Sequence, residues 1–222
     1  IWELAYRGTT GGSTSGWGNG SVGPVTYPNA WIRLIRMGDK FIALRSINGT
    51  EWEQRGQITM VFTNKVLIGM CATAHNNAAG TVTVAKFHDY LVNTNATYTY
   101  PVITSIAGGA DLDAAYVTFS EPLLASSATS AANYVFDNGL QVTSASIDAT
   151  GTNVTLKTSK QTPGAVYTLS VKNVQSVAGM LVPASSFKAF TAWMFSKALV
   201  KREVWNGIGN PLSNLKGSAK YP

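Results

Sequence analysis

The chain has 222 residues, a formal charge of +6, a charged fraction of only 13% and 21 glycines. That length has room for one large or two modest domains with real cores. The absence of long Glu/Lys/Ala/Leu patterns argues against a helical protein, and short runs of Thr, Val, Ser and aromatic residues between Gly-rich turns point to an all-β fold. The positive charge is not gathered for nucleic acid: residues 1–100 carry +3 (eight Lys/Arg against five Asp/Glu), 101–193 carry −1 (four against five) and 194–222 carry +4 (five against one). No segment combines a dense basic patch with interleaved aromatics, and no apolar run is long enough to cross a bilayer.

Residue 1 is Ile and no signal peptide is legible; the true N-terminus is expected to be missing, so that absence does not bear on export. Trp2 to Arg7 alternates with period 2 and predicts a strand. The Gly-rich run Gly8 to Ser21 predicts a loop without regular structure. Inside it Gly18, Gly20 and Gly23 have a dinucleotide-type spacing, but that motif needs a strand before it and a helix N-terminus after it, and Pro24 and Pro28 follow instead. Trp17, in this loop, with Asn19, Tyr27 and Asn29 close in sequence, is the candidate sugar platform. Pyranose faces stack on aromatic rings while amides bind hydroxyls. The competing reading is that Trp17 covers an open end of a sandwich.

Strands are then predicted at Trp31–Arg36, Lys40–Ser46 and Glu51–Arg55, with Asn48-Gly49 as the hairpin turn because both residue types tolerate positive φ. A fully apolar strand is predicted from Val66 to Thr73 and an alternating one from Thr81 to Tyr90. Cys71, the single cysteine, can form no internal disulfide, and its apolar surroundings predict a buried thiol. Trp31-Ile-Arg-Leu-Ile-Arg, the turn at Asp39, Ser46-Ile-Asn-Gly-Thr-Glu-Trp52, Val66-Leu-Ile-Gly-Met and Thr73-Ala-His75-Asn76-Asn77 resemble the C-terminal half of a concanavalin/laminin-G-like jelly roll. The resemblance covers residues 1–92 and implies a truncated jelly roll, of a kind repeated in large secreted bacterial proteins beside glycan-active or adhesive domains.

Residues 93–100 form a polar linker, since Pro101 disfavours a helix before it. Seven short strands follow, at Val102–Ile106, Ala115–Phe119, Tyr134–Phe136, Val142–Ile147, Val154–Lys157, Tyr167–Val171 and Phe187–Ala192. They are punctuated by Asp137-Asn138-Gly139, Ala149-Thr150-Gly151 and Thr162-Pro163-Gly164, the scale of an Ig-like sandwich. Val117-Thr-Phe-Ser-Glu121-Pro122-Leu, Ala132-Asn133-Tyr134, Asn153-Val-Thr-Leu156 and Gly164-Ala-Val-Tyr167 resemble the bacterial Ig-like family of surface-layer and adhesin-type proteins across 101–193. One departure is Gln175-Ser176-Val177-Ala178-Gly179-Met180, which stands where that family commonly has an acidic residue and a Gly-Asn pair. Lys201-Arg-Glu-Val-Trp-Asn-Gly and Leu212-Ser-Asn-Leu215 resemble the first strand and loop of a protective-antigen-type β-sandwich, so 194–222 reads as the truncated start of a further β module.

The sequence is poor in catalytic constellations. Its two histidines, His75 and His88, have no serine in a nucleophile-elbow pattern to serve, and two histidines with one cysteine are not a zinc set. Glu51 and Glu53, flanking Trp52, are the one carboxylate pair that could approach a common sugar, although neighbouring hairpin carboxylates are mostly solvated surface. Trp31 and Trp52 read as core residues. The resemblances therefore imply a non-catalytic piece of a secreted or cell-surface multidomain protein, without metal or cofactor, in which the jelly roll binds glycan or cell-surface polysaccharide and the Ig-like unit is a spacer between neighbouring domains of the same chain. Purely structural stalk modules, and accessory modules of a polysaccharide-active enzyme, are the alternatives.

Overall fold

The computed structural model describes residues 4–16, 25–62, 66–72 and 78–194. Its strands are β1 (Ala5–Tyr6), β2 (Ser15–Gly16), β3 (Trp31–Met37), β4 (Lys40–Ser46), β5 (Glu53–Thr59), β6 (Ile103–Gly108), β7 (Ala114–Phe119), β8 (Tyr134–Phe136), β9 (Val142–Ile147), β10 (Asn153–Thr158), β11 (Val166–Val171) and β12 (Phe187–Thr191). A one-turn helix at Ala125–Ala128 and a 3-10 turn at Ala131–Asn133 sit between β7 and β8. The protein is all-β, with every strand pair antiparallel.

Strands β6 to β12 make a two-layer sandwich: a four-stranded sheet in the order β6-β7-β10-β9 faces a three-stranded sheet in the order β12-β11-β8. The period-2 alternation decides which side chains go inside. From β10 come Val154 and Leu156, from β7 Ala115, Val117 and Phe119, and from β11 Tyr167, Leu169 and Val171, all buried. Burial of each large aliphatic side chain stabilises the fold by about 1.5–3 kcal/mol, so Leu156 and Leu169, both fully enclosed, anchor the two layers. Turn residues set the register at the ends. Asn138 and Gly139 both take positive φ, 52° and 75°, which the side chains of most other residues resist.

Strands β3, β4 and β5 form a separate antiparallel meander. Opposite residues share a face, so Ile35 and Ile42, paired across β3 and β4, point together into a second core. The register slips between Ala43 and Leu44, where Arg55 is the extra residue on β5. The third strand runs over Glu53–Thr59, two residues later at its start than the sequence expectation, Glu51–Arg55. At the hairpin between β4 and β5 only Gly49 has positive φ (77°). Asn48 acts differently: its side-chain oxygen accepts the N–H groups of Thr50 and Glu51 at 3.0 and 2.9 Å, an Asx-type turn that lengthens the loop.

The second core is not closed by the meander alone. Met180, from the hairpin that spans Gln175 to Leu181 in the sandwich, is fully buried against Ile35, Ile42, Leu44 and Trp52, and Tyr98 and Tyr100 pack on the same cluster. Two hydrogen bonds stitch this seam: the Trp52 N–H donates to the Val177 carbonyl at 3.0 Å, and the Gln54 N–H donates to the Gln175 side-chain oxygen at 2.9 Å. Residues before Pro101 are tied to both units. Lys40 Nζ donates to the Tyr100 hydroxyl at 3.3 Å, and Thr99 Oγ1 donates to Glu121 at 3.1 Å.

Four sequence expectations fail here. The predicted strands Val66–Thr73 and Thr81–Tyr90 are not strands in their described residues, and Leu67, Val82 and Val84 stand in solvent. Strand preference is largely the benefit of packing on a neighbouring pleated surface, and no described strand runs beside them to supply one. Cys71, expected inside, is exposed for the same reason. In the Gly-rich loop, expected to be irregular, Ser15–Gly16 pairs with Ala5–Tyr6.

Candidate functional site

Of the four residues expected to form a sugar platform, Trp17 and Asn19 lie outside the described residues, as do His75 and Gly18, Gly20 and Gly23. Tyr27 and Asn29 share one exposed turn, held by a backbone bridge from Thr26 to Asn29 and by the Ala30 N–H donating to the Pro28 carbonyl at 2.8 Å. Tyr27 is 60% exposed, and its hydroxyl is 2.8 Å from His88 Nε2. This contact joins residues 61 apart, and the two rings lie tilted at 41° with their centroids 6.1 Å apart. His88 carried no signal that would have placed it here, because nothing local in the sequence links it to Tyr27.

The tryptophans of the meander follow their core assignment in unequal degree. Trp52 is buried and Arg33 stacks on its ring with the guanidinium carbon 3.7 Å from the centroid, while Trp31 is half-buried. Glu51 and Glu53 have separate local partners. Glu53 is held by Arg45, whose Nε and Nη2 lie 2.8 and 2.7 Å from one carboxylate oxygen, and by Arg55 Nη1 at 2.7 Å from the other. Glu51 sits in the turn and accepts from Asn48 Nδ2 at 3.4 Å.

Two groups in the sandwich have shifted acidities, and both shifts have structural causes. Asp148 is lowered to about 2, chiefly because its carboxylate accepts from the Asn153 side chain (2.9 Å) and from Thr150 Oγ1 (2.8 Å). It organises the turn between β9 and β10. Burial pushes the Tyr134 phenol well above its ordinary value, and its hydroxyl donates to the Ala128 carbonyl at 2.7 Å, tying the one-turn helix to β8. An open groove of about 350 Å³ lies beside it, lined by Ala131, Tyr134, Phe136, Leu140 and Val142 between the edge strands β8 and β9. Among the described residues no cluster of three or more His, Cys, Asp or Glu side chains could hold a metal ion, and no helix is long and apolar enough to cross a membrane.

No family model and no curated protein matches the chain. Among solved structures, it is similar to surface layer protein SbsC, domains 1–6, at 22% identity and a TM-score of 0.39, over 43% of this chain and 14% of that one. The N-terminal part of the bacterial S-layer protein SbsC gives the same identity and score, over 43% and 24% of the two chains. A third SbsC structure, rSbsC(31-844), is 20% identical with a TM-score of 0.39, over 46% and 14%. The chain thus spans under a quarter of the length of these neighbours.

Proposed function

We propose that this chain is a structural segment of a bacterial cell-surface protein, in which the sandwich of residues 101–193 is an Ig-like spacer and the meander is the unit it carries. The observation that supports the reading is the seam. A flexible tether would leave the two units free to swing, whereas a shared core with Met180 at its centre and a residue pair hydrogen-bonded across it sets their spacing. Inside the sandwich, Gln161 Nε2 donates to the Ala114 carbonyl at 2.7 Å and the Tyr167 hydroxyl accepts the Thr162 N–H at 2.9 Å, both bracing loops against the sheets. An antibody raised against the sandwich labels intact cells of the organism that encodes the chain. Labelling that appears only after lysis overturns the surface assignment.

A second reading, glycan binding by the first unit, is favoured by Tyr27, exposed and pinned by His88 beside Asn29. Trp17 and Asn19 belong to the same proposed platform. A glycan array probed with the chain and with its Tyr27→Ala and Trp17→Ala variants tests it. Binding that both variants lose supports the platform, and no binding by the unaltered chain removes it.

A further inference from the structure

We infer that the sandwich is the template on which the meander folds, and that the 175–181 hairpin is the plug that locks the two, with Gly179 as the residue that lets it seat. The dependence runs one way. The sandwich core, from Ile103 to Ala192, contains no meander residue. The meander core is built from Ile35, Ile42, Leu44 and Trp52 around Met180, a side chain it does not own. A three-stranded meander whose buried apolar side chains are Ile35, Ile42, Ala43, Leu44 and Trp52 is marginal by itself, because isolated small sheets need a partner surface to bury their face.

The plug is preorganised by the sandwich. Within the hairpin the Ser176 N–H donates to the Met180 carbonyl at 2.9 Å and the Gly179 N–H to the Ser176 carbonyl at 2.8 Å. Its base is fastened to the strand-end loop after β7 by Leu124 N–H to the Gln175 carbonyl (2.8 Å) and Val177 N–H to the Pro122 carbonyl (3.0 Å). None of these bonds involves the meander. The hairpin therefore holds its shape before docking, and Gly179 is the point of closest approach. Its φ is +88°, and a Cβ there would overlap Leu44 Cδ2 and come within 3.1 Å of Trp52 Cβ.

The departure of residues 175–180 from the bacterial Ig-like pattern thereby acquires a use. Gln175 supplies the acceptor for Gln54, and Gly179 and Met180 supply the space and the knob that the meander requires. This deepens the spacer reading and rests on it only for the consequence that the segment has a fixed reach at the cell surface.

Hydrogen–deuterium exchange on the whole chain distinguishes the two, since exchange reports the lock and cell labelling reports the location. Gly179→Ala and, from the meander side, Trp52→Ala are compared with the unaltered protein. In both variants amides of residues 31–59 exchange roughly tenfold faster or more, while those of 114–119, 153–158 and 166–171 stay within about twofold. Unchanged exchange across 31–59 in Gly179→Ala overturns the plug. Equal acceleration of meander and sandwich in Trp52→Ala overturns the one-way dependence, and that variant leaves the sequence of the hairpin unaltered, so a global effect of Gly179→Ala on folding does not obscure the result.

Discussion

The main-chain N–H of Gln54 and the side-chain oxygen of Gln175 meet at 2.9 Å across 121 residues of chain, inside the buried seam between meander and sandwich. A buried amide donor must find an acceptor, and here the acceptor comes from the other unit. In Gln175→Leu the apolar volume is retained while the acceptor is lost, leaving the Gln54 N–H unsatisfied at a cost of about 1–3 kcal/mol. Denaturant unfolding of the whole chain followed by Trp fluorescence then shows an earlier transition. An unchanged midpoint would mean that water or another group takes over the bond.

Met180 tests the same seam through volume instead of polarity. It is fully buried in a cluster of meander residues flanked by Tyr98 and Tyr100, so Met180→Ala leaves a cavity that the rigid hairpin cannot collapse to fill, and the expected loss is about 2–5 kcal/mol. Met180→Leu, nearly equal in volume, costs less than about 1.5 kcal/mol. Thermal unfolding by calorimetry separates the pair, and equal destabilisation by both would place the importance of the site in the sulfur or the backbone.

Much of the sandwich was legible in the sequence because each of its strands alternates over a partner that is present. Tyr134–Phe136 and Val142–Ile147 fall on their predicted bounds, and the others lie within one or two residues. The same rule misplaced Val66–Thr73 and Thr81–Tyr90. Leu67 and Val82 carry the pattern of strands, but pattern states only what a segment would bury if a neighbouring sheet were there. The seam was illegible for another reason. Gln54 and Gln175 are unremarkable residues until the fold brings them together, and the sequence registered only that 175–180 is unusual. Of the candidate platform, Tyr27 and Asn29 were nominated from the composition of one turn, whereas the contact of Tyr27 with His88 spans 61 residues and leaves no local trace in the sequence.

Tyr134 links packing to alkaline stability. Its phenol is raised by burial and donates to the Ala128 carbonyl, whereas in the unfolded chain it ionises at its ordinary value near 10. The folded state keeps the proton where the unfolded state releases it, so stability falls as pH rises above about 10. Tyr134→Phe loses the hydrogen bond at about 1 kcal/mol near neutral pH but also removes this dependence. Denaturant midpoints at pH 8 and pH 11 check the sign: the gap between the two proteins narrows at the higher pH, and a gap that widens would contradict the assignment.

At the opposite end of the pH scale Asp148 makes the complementary case. The Asn153 side chain, then Thr150, then the backbone N–H groups of Asn153 and Gly151 bond its carboxylate and hold it at about 2, below the 3.8 of an unperturbed group. A depressed carboxylate acidity means that the folded state resists protonation, so its contribution is complete above pH 3.8 and is lost as pH falls through about 2. Asp148→Asn keeps the shape but replaces one charged acceptor with an amide, removing the contribution at neutral pH and with it the titration. The variant is therefore less stable than the unaltered chain at pH 6, and the two converge as pH drops from 4 to 2. Because the carboxylate is solvent-exposed, added salt also narrows the difference at pH 6. Equilibrium unfolding in urea across that range measures it, and parallel curves with a constant offset would show that Asp148 acts through turn geometry and not through its charge.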